Sequence, residues 1–282
     1  MKNYLRLVHM EVHRFRYNLL ALMLLTAIIQ FVTLLITTLN QVAQRLSPDW
    51  LASDTNFNSY GYNLQGDRIS FAAIMNYADQ PYSISILLCI TALLIYVGWI
   101  WYRDWFGQRT FIYRLLMLPS ARMQLYWAKL TAILLFVFSL VSFQWILLLL
   151  QNQLFKVIVP AELYADSRYS DVIWANEILR MLLPSNFDEF MIKYGAGAIG
   201  VIMIFTAILI ERSSGRLGIL FGLGYAALSG GVLFSAMVIY IDHSISFLYP
   251  NEILAIGIVL LGLIGVGSVW LSSRLLTKKI SV

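Results

Sequence analysis

Two histidines near the start of the chain have a spacing that can hold a metal ion. In His9-Met10-Glu11-Val12-His13 they lie four residues apart, which places both rings on one face of a helix. A metal site also needs a third ligand and supporting hydrogen bonds. The glutamate is misplaced for the H-E-x-x-H pattern of zinc enzymes, and His243, the remaining histidine, lies far along the chain. A pair of solvated histidines is therefore the default interpretation.

Several glycines have spacings that suggest either phosphate binding or helix packing. Residues 195–200 match G-x-G-x-x-G, but dinucleotide binding needs this turn between a strand and a helix. Here the glycines open an apolar run, which favours close helix packing, as does the G-x-x-x-G pair Gly218 and Gly222. The sequence contains no Walker A pattern, so the chain does not hydrolyse ATP by a P-loop mechanism on its own.

The elements that must position these residues are six apolar runs. They cover residues 17–38, 83–102, 130–150, 194–210, 217–241 and 253–271. About 20 helical residues cross a hydrocarbon core of roughly 30 Å, and the runs lack the two-residue alternation of barrel strands. With 60% hydrophobic and 12% charged residues, the sequence predicts an all-α membrane protein with six transmembrane helices in a single domain, residues 1–282.

The runs contain no ionisable side chain apart from Tyr and Cys. Secondary transporters, intramembrane proteases and acyltransferases use buried ionisable groups, so this absence argues against those classes. Because no nucleophile or acid–base pair lies in the runs, the chain is not expected to be an enzyme.

The charges outside the runs alternate in sign from segment to segment. In chain order the net charges are +3, −2, +4, −2, +1, −2 and +3, and one set of segments holds 14 of the 20 Lys and Arg residues. Because cytoplasmic segments carry the Lys and Arg excess, both termini are predicted to be cytoplasmic, with external loops at 41–81 and 151–193. The basic residues sit at membrane edges, where lipid rather than nucleic acid is the expected partner.

The first 16 residues are predicted to form an interfacial amphipathic helix. Its apolar stripe consists of Tyr4, Leu5, Val8, Val12 and Phe15. A basic tail that merely orients the first span is the alternative. The two external loops are rich in aromatic residues, which fits either an interfacial aromatic belt or a small external cap.

The segment between spans 2 and 3 has the most specific pattern. Apolar residues alternate with Arg109 and Arg114 as in a short cationic amphipathic helix, which Pro119 ends. Leu118-Pro119-Ser120-Ala121-Arg122, followed by Lys129, resembles the first inner loop of type-2 ABC exporter permeases. In that family an amphipathic coupling helix is followed by a Leu-Pro-x-x-Arg turn and a later lysine. The six-span plan and the N-terminal helix resemble the family as well.

The resemblance implies a permease subunit in a bacterial cell membrane. It implies as partners an ABC ATPase in two copies, which binds ATP and Mg²⁺, and a second permease chain, identical or related. This chain would bind no cofactor itself. Its apolar spans suit export of a hydrophobic or amphipathic substrate such as a lipid, drug or peptide. The residues implied in ATPase coupling are Arg103, Asp104, Arg109, Thr110, Arg114, Leu118, Pro119 and Arg122.

Polar residues within the spans have two interpretations. They line a substrate path, or they form hydrogen bonds between helices, which is the favoured reading. The candidates for the path are Gln30, Thr33, Thr91, Ser142, Gln144 and Ser235. The rival function is a non-transporting sensor or immunity subunit that binds a ligand through its external loops.

Overall fold

The protein is described by a computed structural model covering residues 2–45, 68–106, 122–213, 217–241 and 250–279. In chain order the elements are α1 (Lys2–Arg45), β1 (Ile69–Ser70), α2 (Phe71–Tyr77), α3 (Asp79–Phe106), α4 (Arg122–Ile158), β2 (Tyr164–Ala165), α5 (Tyr169–Trp174), α6 (Glu177–Leu182), α7 (Phe187–Ser213), α8 (Gly218–Ile241), α9 (Pro250–Arg274) and a π-helical turn (Leu275–Lys279). Six of these helices, α1, α3, α4, α7, α8 and α9, are long and apolar enough to cross a membrane. The prediction of a helical, multi-pass membrane protein is confirmed.

The long helices extend beyond the apolar runs that predicted them. α1 has 44 residues, and at about 1.5 Å per residue it is longer than the hydrocarbon core is thick. Residues 1–16 do not form a separate helix as predicted, because α1 continues through them into the first apolar run. No Gly or Pro interrupts residues 1–45, so nothing in the sequence ends the helix at the boundary. Likewise α4 reaches Ile158, so the segment predicted as an external loop from residue 151 begins as helix.

The described residues divide into two compact units. The first comprises Met1–Phe15, Ala92–Leu135 and Phe187–Val282. Within it, the ring of Phe205 on α7 lies edge-on to those of Trp101 and Tyr126, with centroids 5.5 Å apart in both pairs. All three side chains are buried, so they form an aromatic core among α3, α4 and α7.

Glycines on α8 let it approach α7 closely in this unit. A Cβ atom at Gly222 would lie 2.8 Å from the carbonyl oxygen of Ala207, and one at Gly218 would overlap the backbone of Glu211. The predicted packing role of this G-x-x-x-G pair is confirmed. Residues 195–200 lie within α7, but added Cβ atoms at their three glycines would meet no described atom within 4 Å. Close helix packing at those three glycines was therefore a wrong prediction for the described part of the chain.

The second unit comprises Arg16–Thr91 and Phe136–Asn186, and it includes the described part of the predicted external loop 41–81 and residues 151–186 of the second predicted loop. β1 and β2 pair in parallel, with Ile69 opposite Tyr164, so the two predicted loops contact each other, as the cap alternative expected. The rings of Phe71 of α2 and Phe155 of α4 contact each other at an interplanar angle of 42°, with centroids 5.5 Å apart. The two loops thus share one apolar core, which also contains Ile74, Met75, Val172 and Leu179.

The second predicted loop contains two short helices, α5 and α6. Asn176 separates α5 from α6, because its side chain caps α6 by accepting a hydrogen bond from the Leu179 amide at 2.7 Å. Its amide nitrogen also donates to Asp79 Oδ1 at 2.7 Å and to Ser83 Oγ at 3.1 Å. One buried asparagine therefore fixes the start of α6 against the first turns of α3.

Candidate functional site

Five charged side chains from three helices form a buried ionic cluster in the first unit. They are Glu11 and Arg14 of α1, Arg103 and Asp104 of α3, and Lys129 of α4. The side chains of Glu11 and Lys129 are 0% exposed and that of Asp104 is 2% exposed. We refer to these five residues as the ionic cluster.

Lys129 lies at the centre of the ionic cluster. Its Nζ donates to Glu11 Oε1 at 3.0 Å, to Asp104 Oδ2 at 2.5 Å and to the carbonyl oxygen of Ile100 at 3.1 Å. An ammonium has three N–H donors, so every donor of Lys129 has an acceptor. The Trp101 ring centroid, 5.3 Å from Nζ, adds a cation–π contact.

The two arginines complete the pairing of the carboxylates. Arg103 donates to Glu11 Oε2 at 2.7 Å, and Arg14 donates to Asp104 Oδ1 at 3.3 Å. Both arginines are about one-third exposed, so the cluster reaches the surface through its cations. Since desolvating a charge is costly, such a cluster is stable only while its members remain paired.

The sequence of α1 explains how Glu11 reaches this position. Leu7, Val8 and Phe15 are buried, and with Glu11 they recur at helical spacing on one face. Leu7 and Val8 pack against Leu125 and Ala128 of α4. Tyr4 adds a 2.6 Å hydrogen bond between its hydroxyl and Thr131 Oγ1. This face of α1 therefore contacts protein, and Glu11 interrupts an apolar stripe.

The structure places the predicted coupling residues in two groups. Arg103 and Asp104 belong to the ionic cluster, and the Asp104 carboxylate points into the protein. Arg122 is the first residue of α4. The other five, Arg109, Thr110, Arg114, Leu118 and Pro119, lie outside the described residues.

Neither Glu11 nor Arg14 was predicted to be a site residue, and Lys129 was noted only for its place after the Leu-Pro-x-x-Arg turn. The available signal was a single acidic residue at a stripe position, Glu11, in an otherwise basic segment.

A second polar group lies in the other unit and contains two of the predicted path residues. Gln30 of α1 and Gln144 of α4 exchange two hydrogen bonds of 3.2 Å between their side-chain amides. Gln144 also donates to the Tyr82 hydroxyl at 2.8 Å, and Tyr82 donates to Gln151 Oε1 at 3.0 Å. Ser85 accepts from Gln30 at 3.0 Å. We call these five residues the glutamine cluster. It joins α1, α3 and α4, as the hydrogen-bonding alternative for Gln30 and Gln144 expected.

The other candidate path residues are not part of the glutamine cluster. Thr91 and Ser235 are exposed and donate to carbonyl oxygens of their own helices, Leu87 at 2.8 Å and Val232 at 2.8 Å. Ser142 is exposed and Thr33 is half-buried. The structure therefore brings together two of the six predicted residues.

The two histidines of the first motif are exposed, with ring centroids 6.1 Å apart. Among the described residues, no group of three or more His, Cys, Asp or Glu side chains has a geometry that could hold a metal ion. The exposure of both rings fits their interpretation as solvated side chains.

No family model, curated protein or solved structure matches this chain.

A cavity of about 600 Å³ opens between α2, the start of α3 and the helices α5 and α6. Its lining includes the aromatic residues Tyr77 and Trp174 and the carboxylates of Asp79 and Glu177. The Arg180 guanidinium lies 3.7 Å from the Trp174 ring centroid. Elsewhere in the same unit, burial and then a 2.9 Å hydrogen bond to Asp166 raise the pKa of Tyr164. The cavity combines aromatic surface with charges of both signs, which suits a polar or zwitterionic ligand.

Proposed function

We propose that this chain is the permease subunit of an ATP-driven ABC transporter whose energy comes from a separate ATPase. Six spanning helices and the Lys and Arg bias support a multi-pass subunit with an inner face of short segments. The ionic cluster is the observation that carries the proposal, because it joins the helix ends on both sides of residues 107–121.

The cluster gives that segment a mechanical connection to the spans. Asp104 lies three residues before position 107 and Lys129 eight residues after position 121. The 2.5 Å ion pair between them ties α3 to α4, and Glu11 ties both to α1. A force on residues 107–121 would therefore move three helix ends together, and rigid-body movement of this kind is how many membrane proteins switch states. The partner ATPase, with bound ATP and Mg²⁺, would supply that force.

The deciding experiment reverses two charges in the segment itself. Arg109→Glu with Arg114→Glu should leave membrane insertion intact, because Arg103, Arg122 and Lys129 remain beside the spans. The affinity for the co-expressed ATPase, measured by pull-down, should fall about a hundredfold, because wrong-sign charges at an interface cost several kcal/mol. Arg274→Glu with Lys278→Glu is the matched control, with the same charge change on the same predicted side. Unchanged pull-down and unchanged substrate-stimulated ATP hydrolysis in the first variant would refute the proposal.

The cavity near Trp174 favours a second candidate function, a sensor or immunity subunit that binds a ligand on its predicted external side. Such a subunit needs no ATPase, so purification of the chain with its co-expressed neighbours separates the two functions. Recovery of a Walker-type ATPase supports transport. Recovery of the chain without an ATPase, together with loss of the cell's response to the ligand in the Glu177→Gln variant, supports the sensor.

A further inference from the structure

The first unit contains a second cavity, of about 530 Å³, at the end of α3 and along α7 and α8. Its lining is apolar except for Tyr102 and Glu211. On α7 the lining residues Gly200, Ile204, Ala207 and Glu211 follow one another at helical spacing along one face. The cavity therefore has a polar end at Glu211 and an apolar end at Gly200.

The length of the cavity matches half of a membrane. Glu211 and Gly200 are eleven residues apart on one helix, a rise of about 16 Å, and one leaflet contributes roughly half of a hydrocarbon core of about 30 Å. Glu211 follows the fourth apolar run, in a segment that the charge pattern places on the cytoplasmic side. An occupant with one polar end and an apolar chain of leaflet length fits this arrangement.

Exposed apolar residues of α8 border the cavity. Ile219 and Leu223 of α8 line it and are themselves largely exposed, at 60% and 65%. At Gly200 an added Cβ atom would meet no described atom within 4 Å, so a missing side chain forms part of the space. At the end of the cavity near Glu211, the close contact between Gly222 and Ala207 narrows the space between α7 and α8. An alkyl chain can therefore enter laterally along α8.

The polar end selects a cation. Glu211 is the ionisable carboxylate among the lining residues, and its Oε2 accepts a hydrogen bond from the Tyr102 hydroxyl. Oε1 makes no hydrogen bond within the described part of the chain and is available to a donor. The Arg212 guanidinium lies 5.0 Å from the Tyr102 ring centroid, where it makes a cation–π contact. Arg212 is not one of the residues that line the cavity. Carboxylates form strong charge-assisted hydrogen bonds with ammonium groups.

We propose that this cavity binds a single-chain amphiphile with a primary ammonium headgroup. The ammonium donates to Glu211, and the alkyl chain runs along α7 towards Gly200. The cavity volume suits one alkyl chain, which favours a free amphiphile over a two-chain lipid with an ammonium headgroup. The site is formed within one chain and does not depend on the proposed ATPase partner, so the two proposals fail separately.

Photolabelling of the full chain tests the site. The protein is placed in phosphatidylcholine nanodiscs with dodecylammonium that carries a diazirine at the tail end, and adducts are mapped by mass spectrometry. We expect adducts around Gly200 and Met203. Unlabelled dodecylammonium should compete about tenfold better than dodecanol or dodecyl sulfate, the effect of one hydrogen bond to a charged group. Competition by phosphatidylethanolamine equal to that of dodecylammonium would overturn the assignment to a single-chain ligand.

Two variants with a matched control complete the test. Gly200→Leu fills the apolar end and should reduce labelling about tenfold. Gly197→Leu adds the same side chain, also into open space, at a position that does not line the cavity and should label as the wild type does. Glu211→Gln should remove the preference for dodecylammonium over dodecanol. Equal labelling of the two glycine variants, or equal competition by all headgroups in the wild type, would overturn the proposal and leave a general acyl groove.

Discussion

The ammonium of Lys129 on α4 lies 3.0 Å from Oε1 of Glu11 on α1, across 118 positions of sequence, and both side chains are fully buried. This pair connects α1 to α4 in the ionic cluster, and Lys129 of α4 also pairs with Asp104 of α3. Its position at helix ends explains why the apolar runs contain no charge although the unit contains a buried ion pair.

Loss of the buried ammonium should destabilise the protein strongly. Lys129→Met leaves Glu11 paired with Arg103 at 2.7 Å, whereas among the described residues Asp104 keeps only the longer, 3.3 Å contact to Arg14. Breaking a buried ionic network in this way costs about 3–5 kcal/mol. Thermal unfolding of the purified protein in detergent should show a large fall in the midpoint temperature.

Lys193→Met is the matched control for that variant. Lys193 pairs with Glu189 at 3.2 Å on the surface of α7, where the two side chains are 33% and 47% exposed. Exposed helical pairs contribute about 0.3–0.5 kcal/mol, so its unfolding should be nearly unchanged. Equal effects of the two variants would show that burial of Lys129 adds nothing.

The sequence predicted the spans well and the polar clusters poorly, for a physical reason. An apolar run directly predicts a membrane-crossing helix, because every residue in the run must be compatible with the hydrocarbon core. Glu11 and Lys129 belong to segments that look like ordinary basic flanks, and their burial depends on which helices pack together. That information is non-local, so it was recovered only in part. It was recovered for Gly218 and Gly222, where a short spacing encodes close approach, and for Gln30 and Gln144, whose amides within apolar runs indicated hydrogen bonds between helices. Arg103 and Asp104 were predicted to act in ATPase coupling, which stays a prediction, and in the structure they pair with Glu11, Arg14 and Lys129.

The glutamine cluster should stabilise the second unit by hydrogen bonds between helices. Gln144→Met preserves side-chain length and removes three hydrogen bonds, two with Gln30 and one with Tyr82. Interhelical hydrogen bonds in membranes contribute about 0.6 kcal/mol each on average, so we expect a loss of about 1–2 kcal/mol. Thr91→Val removes a bond within α3 only and should change the unfolding free energy by much less. The reverse order would assign Gln144 to a role other than packing.

Two glycines on α8 should differ in their response to substitution by alanine. Gly222→Ala places a methyl group 2.8 Å from the Ala207 carbonyl oxygen, so α8 must shift at a cost of about 1–3 kcal/mol. Gly224→Ala meets no described atom within 4 Å and should be neutral, or stabilising by up to about 1 kcal/mol through helix propensity. Thermal unfolding of both variants measures the difference. Equal stability of the two would contradict the close approach of α7 and α8.

The charge pattern predicts which side of the membrane each segment occupies, and cysteine labelling tests it. In a Cys89→Ser background, which removes the single native thiol, Ala161→Cys places a thiol in the segment between α4 and β2, and Thr277→Cys places one in the π-helical turn after α9. Both positions are exposed. Because Lys and Arg concentrate on the segments that include the C-terminal tail, an impermeant maleimide should label Ala161→Cys in intact cells and Thr277→Cys only after permeabilisation.

Labelling of Thr277→Cys in intact cells would invert the predicted topology. It would also move the cavity near Trp174 to the cytoplasm and Glu211 to the outer leaflet, so the sensor candidate would lose its external ligand. The amphiphile site would then draw its occupant from outside the cell.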